Sequence, residues 1–171
     1  YQRGVTQFAD MANLPKDLRA LLDEHYAIDR PDVITKQVSE DGTIKWLLGM
    51  SDGQQVEMVF IPTPSRGTLC VSSQVGCTLT CKFCHTGTQP LVRNLGPHEV
   101  LQQVMFAKDE LNEWPSSGEK DSRDLTNIVM MGMGEPLYNY QNVAKALTIC
   151  MHPDGLGISK RHITLSTSGV V

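Results

Sequence analysis

The chain has 171 residues, 40% hydrophobic and 20% charged, with a formal net charge of -4 and five cysteines. That is enough for one domain with a real core, and the acidic balance excludes a bulk electrostatic case for nucleic-acid binding, so any RNA contact must come from a local basic surface or from outside this segment. No apolar run reaches transmembrane length, no secretory signal opens the chain, and an odd number of cysteines, three of them crowded together, argues against a disulfide framework and for a reducing cytoplasm.

Tyr1 opens the chain without an initiator methionine, and the chain stops shortly after a strand-like run, so it reads as an internal segment of a longer protein. Residues 1–30 read as the end of a helical accessory domain. Pro15 suits a first helical turn, and Leu18, Leu21, Leu22 and Tyr26 recur at helical spacing. Residues 31–65 read as a β-meander linking region. Strand-like runs over 33–38 and 43–48 flank the turn signal Glu40-Asp41-Gly42. After Ser51-Asp52-Gly53, residues 55–61 alternate, with Val56, Met58 and Phe60 on one face and Gln55, Glu57 and Val59 on the other. Pro62 and Pro64 are expected to end that run.

The pattern then changes. A β-rich run over 68–73 leads into a cysteine loop, and Gly96-Pro97-His98-Glu99 opens a helix to about Leu111. Residues 112–126 are polar and read as an exposed loop. A short apolar strand over 127–131, a helix over 141–151 and a strand over 162–165 follow. This order predicts an α/β fold with parallel strands, so residues 66–171 read as the first part of a (β/α)6 barrel. The chemical motifs fall at strand C-terminal ends, where such barrels place their active sites.

Cys77, Cys81 and Cys84 stand in a C-x3-C-x2-C run with Phe83 before the last cysteine. Three thiolates can hold three corners of a 4Fe-4S cube and leave one iron open to chelate a small molecule. A Cys3His zinc site with His85 is the alternative, but no second zinc knuckle accompanies it. Phe83 reads either as a ring limiting water access to the cluster or as ordinary core. The cysteine pattern resembles that of radical S-adenosylmethionine (SAM) enzymes, in which the open iron binds the amino and carboxylate groups of SAM. In such proteins a stretch like Gly134-Glu135-Pro136, after the second strand, binds the SAM amino group. Ser166, at the end of the next strand, suits the SAM carboxylate or ribose, or equally a turn or helix cap. Cys150 reads as a buried small hydrophobe.

Longer stretches sharpen the resemblance: residues 66–77, Cys84-His85-Thr86-Gly87, Arg93-Asn94-Leu95 and residues 131–137. They are similar, essentially end to end, to the radical SAM family that methylates C2 of an adenosine in 23S ribosomal RNA and in certain transfer RNAs. The resemblance implies a 4Fe-4S cluster, SAM, both RNAs as partners, a reducing donor such as flavodoxin, a monomer and no membrane. It also implies a methyl-cysteine intermediate and a protein–RNA crosslink released by a disulfide. Cys70 matches the resolving cysteine, and Glu57 matches the carboxylate that takes the C2 proton. The methyl-carrying cysteine has no counterpart before Val171, so this segment alone is not expected to turn over. The rival readings are the related family that methylates C8 of adenosine, associated with antibiotic resistance, and a non-catalytic, zinc-stabilised RNA-binding module.

Overall fold

The computed structural model describes residues 1–115 and 124–170. Three antiparallel strands come first: β1 (Asp32–Val38), β2 (Ile44–Gly49) and β3 (Gln55–Thr63). Next, β4 (Arg66–Cys70) pairs antiparallel with β3. A small ribbon, β5 (Gln74–Val75) with β6 (Arg93–Asn94), brackets the cysteine loop. Finally, β7 (Asn127–Met130) and β8 (Ile163–Leu165) extend the sheet in parallel with β4, giving the order β1-β2-β3-β4-β7-β8. The parallel pairing expected after residue 66 is therefore present. The meander and the parallel strands share one continuous sheet, joined where Val59 faces Cys70 and Phe60 faces Leu69. β3 does not stop before Pro62. It runs through that residue, opposite Gly67 near the strand end, where a missing N–H costs little.

Among the described residues, three α-helices accompany the sheet: α1 (Lys16–His25), α2 (Pro97–Glu110) and α3 (Tyr140–Met151). Alternation decides which sheet face is covered. Trp46 and Leu48, Val56, Met58 and Phe60, Leu69, and Ile128 and Met130 are buried from successive strands, and they share a core with Val100, Val104 and Ala107 of α2 and Val143, Ala146 and Cys150 of α3. Burying each large side chain stabilises the fold by about 1.5–3 kcal/mol relative to leaving it in water. Trp46 meets Phe106 edge-on, with ring centroids 5.8 Å apart. The opposite sheet face is more open and carries Glu57, Val59, Cys70 and Val129 half-buried, with Met131 exposed just past β7.

The first helix departs from its expected packing. Its apolar stripe includes Leu18 and Leu21, yet α1 buries no residue; its main neighbour among the described residues is the short turn Phe8–Asp10. Of the polar loop expected over 112–126, residues 116–123 lie outside the described residues.

Candidate active site

An open cleft of about 660 Å³ lies beyond the C-terminal ends of the parallel strands. Three consecutive loops build it. The loop after β4 and β5 contributes Cys77, Cys81 and Cys84, the loop after β7 contributes Gly134, Glu135 and Pro136, and the loop after β8 contributes Ser166, Thr167 and Ser168. The predicted cysteine, Gly-Glu-Pro and Ser166 positions thus meet in one place. Cys70 and Glu57 stand outside this lining, on the open sheet face.

The cysteine loop is fastened by its own backbone. The Cys77 N–H donates to the Gln89 carbonyl (3.2 Å), Cys84 to Cys81 (3.1 Å) and Gly87 to Cys84 (3.0 Å). A Cβ on Gly87 would lie 2.7 Å from the Cys81 carbonyl oxygen, so the loop folds back closer than any side chain would allow. All three thiols are free and half-buried. His85 does not line the cleft, and among the described residues no three His, Cys, Asp or Glu side chains gather around one ion position. Three thiols from one loop of the cleft, with His85 outside its lining, suit a cluster that takes each thiolate at a different iron. Phe83 lines the cleft but is 94% exposed, so it is a rim residue and neither core nor a closed water barrier.

Glu135 is buried, and its carboxylate is held from two loops. Oε1 accepts from the Leu137 N–H (3.0 Å), while Oε2 accepts from the Ser168 N–H (2.9 Å) and hydroxyl (3.2 Å). Burial pushes this carboxyl up, but the donors of Ser168, Leu137 and Thr167 outweigh it and leave it below its ordinary value. With its lone pairs so engaged, the carboxylate ties the second and third loops together. Ser166 is half-buried in the cleft wall.

On the open sheet face, Glu57 forms an ion pair with Lys45 at 2.6 Å. Cys70 is half-buried, and burial pushes its thiol up. Cys150 is fully buried on α3, its thiol pushed up to about 12, as befits a packing residue. All five cysteines of this chain are free, and the cysteine that the resemblance pairs with Cys70 has no counterpart among them.

Sequence reasoning missed the buried polar residues that hold these loops in register. The Gln103 amide bonds both sides of Ser72, accepting from its N–H (2.8 Å) and donating to its carbonyl (3.0 Å). Ser72 Oγ in turn donates to the Glu57 carbonyl (2.6 Å) and accepts from the Met133 N–H (2.8 Å). Asn139 donates to the carbonyls of Ser73 (2.7 Å) and Leu95 (2.8 Å). Gln74, also wholly buried, reaches Asn94 and the Glu135 backbone. The one available signal was the polar run Ser72-Ser73-Gln74 directly after an apolar strand. Arg93 closes the assembly from outside, with two 2.8 Å bonds to Glu99 and one of 2.6 Å to Asp52.

Comparison with known proteins agrees with this geometry. Residues 71–171 match the radical SAM superfamily. Over 171 residues the chain is 63% identical to the dual-specificity RNA methyltransferase RlmN of Rhizorhabdus wittichii, covering all of this chain and 42% of that protein. It is 60% identical over 173 residues to the protein of the same description from Ruegeria pomeroyi, covering 44% of it. The chain therefore spans less than half the length of these curated relatives. A crystal structure of a radical SAM methyltransferase from Sphaerobacter thermophilus superposes with a TM-score of 0.84 at 40% identity, over 97% of this chain and 47% of that one.

Proposed function

Because the chain belongs to the radical SAM superfamily, we propose that it forms the cofactor-binding core of an RNA methyltransferase that methylates C2 of an adenosine in 23S ribosomal RNA and transfer RNA. One observation carries the reading: the three thiols, the Gly134–Glu135 peptide and Ser166 line a single cleft. When bound, the cluster and SAM supply one-electron cleavage of a carbon–sulfur bond, and hence hydrogen abstraction.

The chain's own residues have separate tasks in this proposal. Cys77, Cys81 and Cys84 each hold one iron. The Gly134 carbonyl accepts from the SAM ammonium, Glu135 fixes the loop that presents it, and the Ser166 hydroxyl bonds the SAM carboxylate or ribose. Glu57 takes the C2 proton of adenine. Cys70 acts last: its thiolate attacks the sulfur that joins a cysteine outside this chain to the nucleotide. The sulfur–carbon bond breaks, its electron pair goes to carbon, and carbon takes up a proton to become the methyl group. A disulfide remains on the protein.

The wider context belongs to the same proposal. The protein is a cytoplasmic monomer supplied with electrons by a donor such as flavodoxin, and among the described residues no helix is long and apolar enough to cross a membrane. Residues 1–30 end an accessory helical domain, 31–65 link it to the core, and 66–171 begin the barrel. The test is anaerobic reconstitution of the full-length protein, incubation with SAM, reductant and 23S RNA, and mass analysis of the nucleosides. The expected product is 2-methyladenosine. Formation of 8-methyladenosine assigns the C8 family instead, and a colourless protein carrying zinc overturns the radical reading.

A further inference from the structure

We infer that Gln74 is the positioning residue that makes the Gly134–Glu135 peptide present an acceptor to the cleft, and so makes this loop select an amino group. The inference rests on the reading of the cleft as a SAM site, and it concerns which chemical group the loop demands.

Gln74 is wholly buried at the start of β5, and both ends of its side-chain amide are used. Oε1 accepts from the Glu135 N–H (2.8 Å), and Nε2 donates to Asn94 Oδ1 (2.7 Å). Its main chain also contributes, since the Gln74 N–H donates to the Met133 carbonyl (3.2 Å) beside the Ser73 N–H (2.8 Å). Between Met133 and Glu135, the side chain of Gln74 lies against the bare Cα of Gly134. A Cβ there would meet Gln74 Cβ at 2.5 Å and Cγ at 2.6 Å, and Gly134 has φ +93°. One glutamine thus grips three consecutive residues of the next loop.

The consequence follows from peptide geometry. In a planar trans peptide, the carbonyl of one residue points opposite to the N–H of the next. With the Glu135 N–H turned inward to Gln74, the Gly134 carbonyl is turned away from it. Among the described residues nothing donates to that carbonyl. Gly134 itself lines the cleft and is partly exposed. A free acceptor on the cleft wall favours a donor, an ammonium above all, and disfavours an anion. Glycine leaves the peptide free to rotate, so an acceptor side chain at position 74 is what holds the orientation. A flipped peptide would offer an N–H to the cleft and reverse the preference.

The test compares SAM with its analogue lacking the α-amino group, by equilibrium dialysis against the anaerobically reconstituted full-length protein. The wild type is expected to prefer SAM by about 10- to 100-fold, the range of a hydrogen bond to a charged group. Gln74→Met keeps the length and apolar shape but removes the acceptor, and its preference should collapse towards unity while iron per chain stays unchanged. Gln74→Glu restores the acceptor and should restore the preference. A purely structural role would weaken both compounds alike. A Gln74→Met protein that keeps the wild-type ratio overturns the inference. Should that variant fail to hold iron, Gln74→Leu decides: it too removes the acceptor without adding a polar group, and an unchanged ratio there also overturns the inference. A wild type that holds a cluster but binds neither compound overturns the functional reading and this inference with it.

Discussion

Cys70 lies directly opposite Val59 in the β3–β4 ladder, two residues along β3 from Glu57, so the thiol and the carboxylate project from the same face of the sheet. That face is the open one, away from the helices, because the alternate residues Phe60 and Leu69 fill the core. The proposed base and the proposed resolving cysteine therefore share a surface although 13 positions separate their numbers. Cys70→Ala in the full-length enzyme is expected to form the protein–RNA bond and fail to release it. A denaturing gel after incubation with RNA should show a stable adduct. If Cys70 only packed, alanine would cost on the order of 1 kcal/mol and no adduct would accumulate.

Burial raises the Cys70 thiol above its ordinary value, and the thiolate is the attacking form. The deprotonated fraction at neutral pH is therefore small and grows as pH rises. Release of the pre-formed adduct, followed by quenched gel samples, should accelerate continuously from neutral into alkaline pH. A release rate that is level over that range would separate Cys70 from the step.

Cys81→Ala should leave a reconstituted protein with little iron and no reductive cleavage of SAM. Cys150→Ala, in the buried α3 position, should keep its iron and lose only stability, by an amount typical of a small core truncation, about 1 kcal/mol. Iron and sulfide analysis separates the two. Full iron in Cys81→Ala would remove this thiol from the site.

Gly134→Ala should weaken SAM binding while the protein retains its iron. The new Cβ would be directed at Gln74, 2.5 Å away, from a backbone at φ +93°, and the left-handed strain alone costs about 1–2 kcal/mol. The loop must shift, and with it the carbonyl presented to the cleft. Unaltered SAM affinity, measured by dialysis, would show that this loop does not contact the cofactor.

Arg93→Ala should be the most destabilising of these changes. It leaves the nearly buried Glu99 carboxylate without its two-bond partner and frees the Asp52 turn from the cysteine ribbon. Breaking one side of such a buried pair costs on the order of 3 kcal/mol. Chemical denaturation of the apoprotein should register the loss, with Arg93→Lys intermediate because a single ammonium cannot reproduce the guanidinium fork.

What the sequence determined by itself was local in origin. Side-chain alternation along residues 55–61 separated the Met58 face from the Glu57 face, because successive side chains of a strand point to opposite faces of the sheet. The β-loop-α order implied parallel strands, and the spacing of Cys77, Cys81 and Cys84 named a donor set confined to eight residues. Tertiary structure alone decided the rest. Whether Leu18 and Leu21 would be covered depended on what packed over α1, and Phe83 went to a rim because nothing among the described residues lies over the loop that carries it. Gln74, Gln103 and Asn139 reach partners far along the chain, 20 positions away for Gln74 with Asn94 and 66 for Asn139 with Ser73. No periodicity encodes such pairs. A buried amide acquires a role only when the folded chain brings an unpaired backbone group within bonding distance, and burial makes that bond costly to lose.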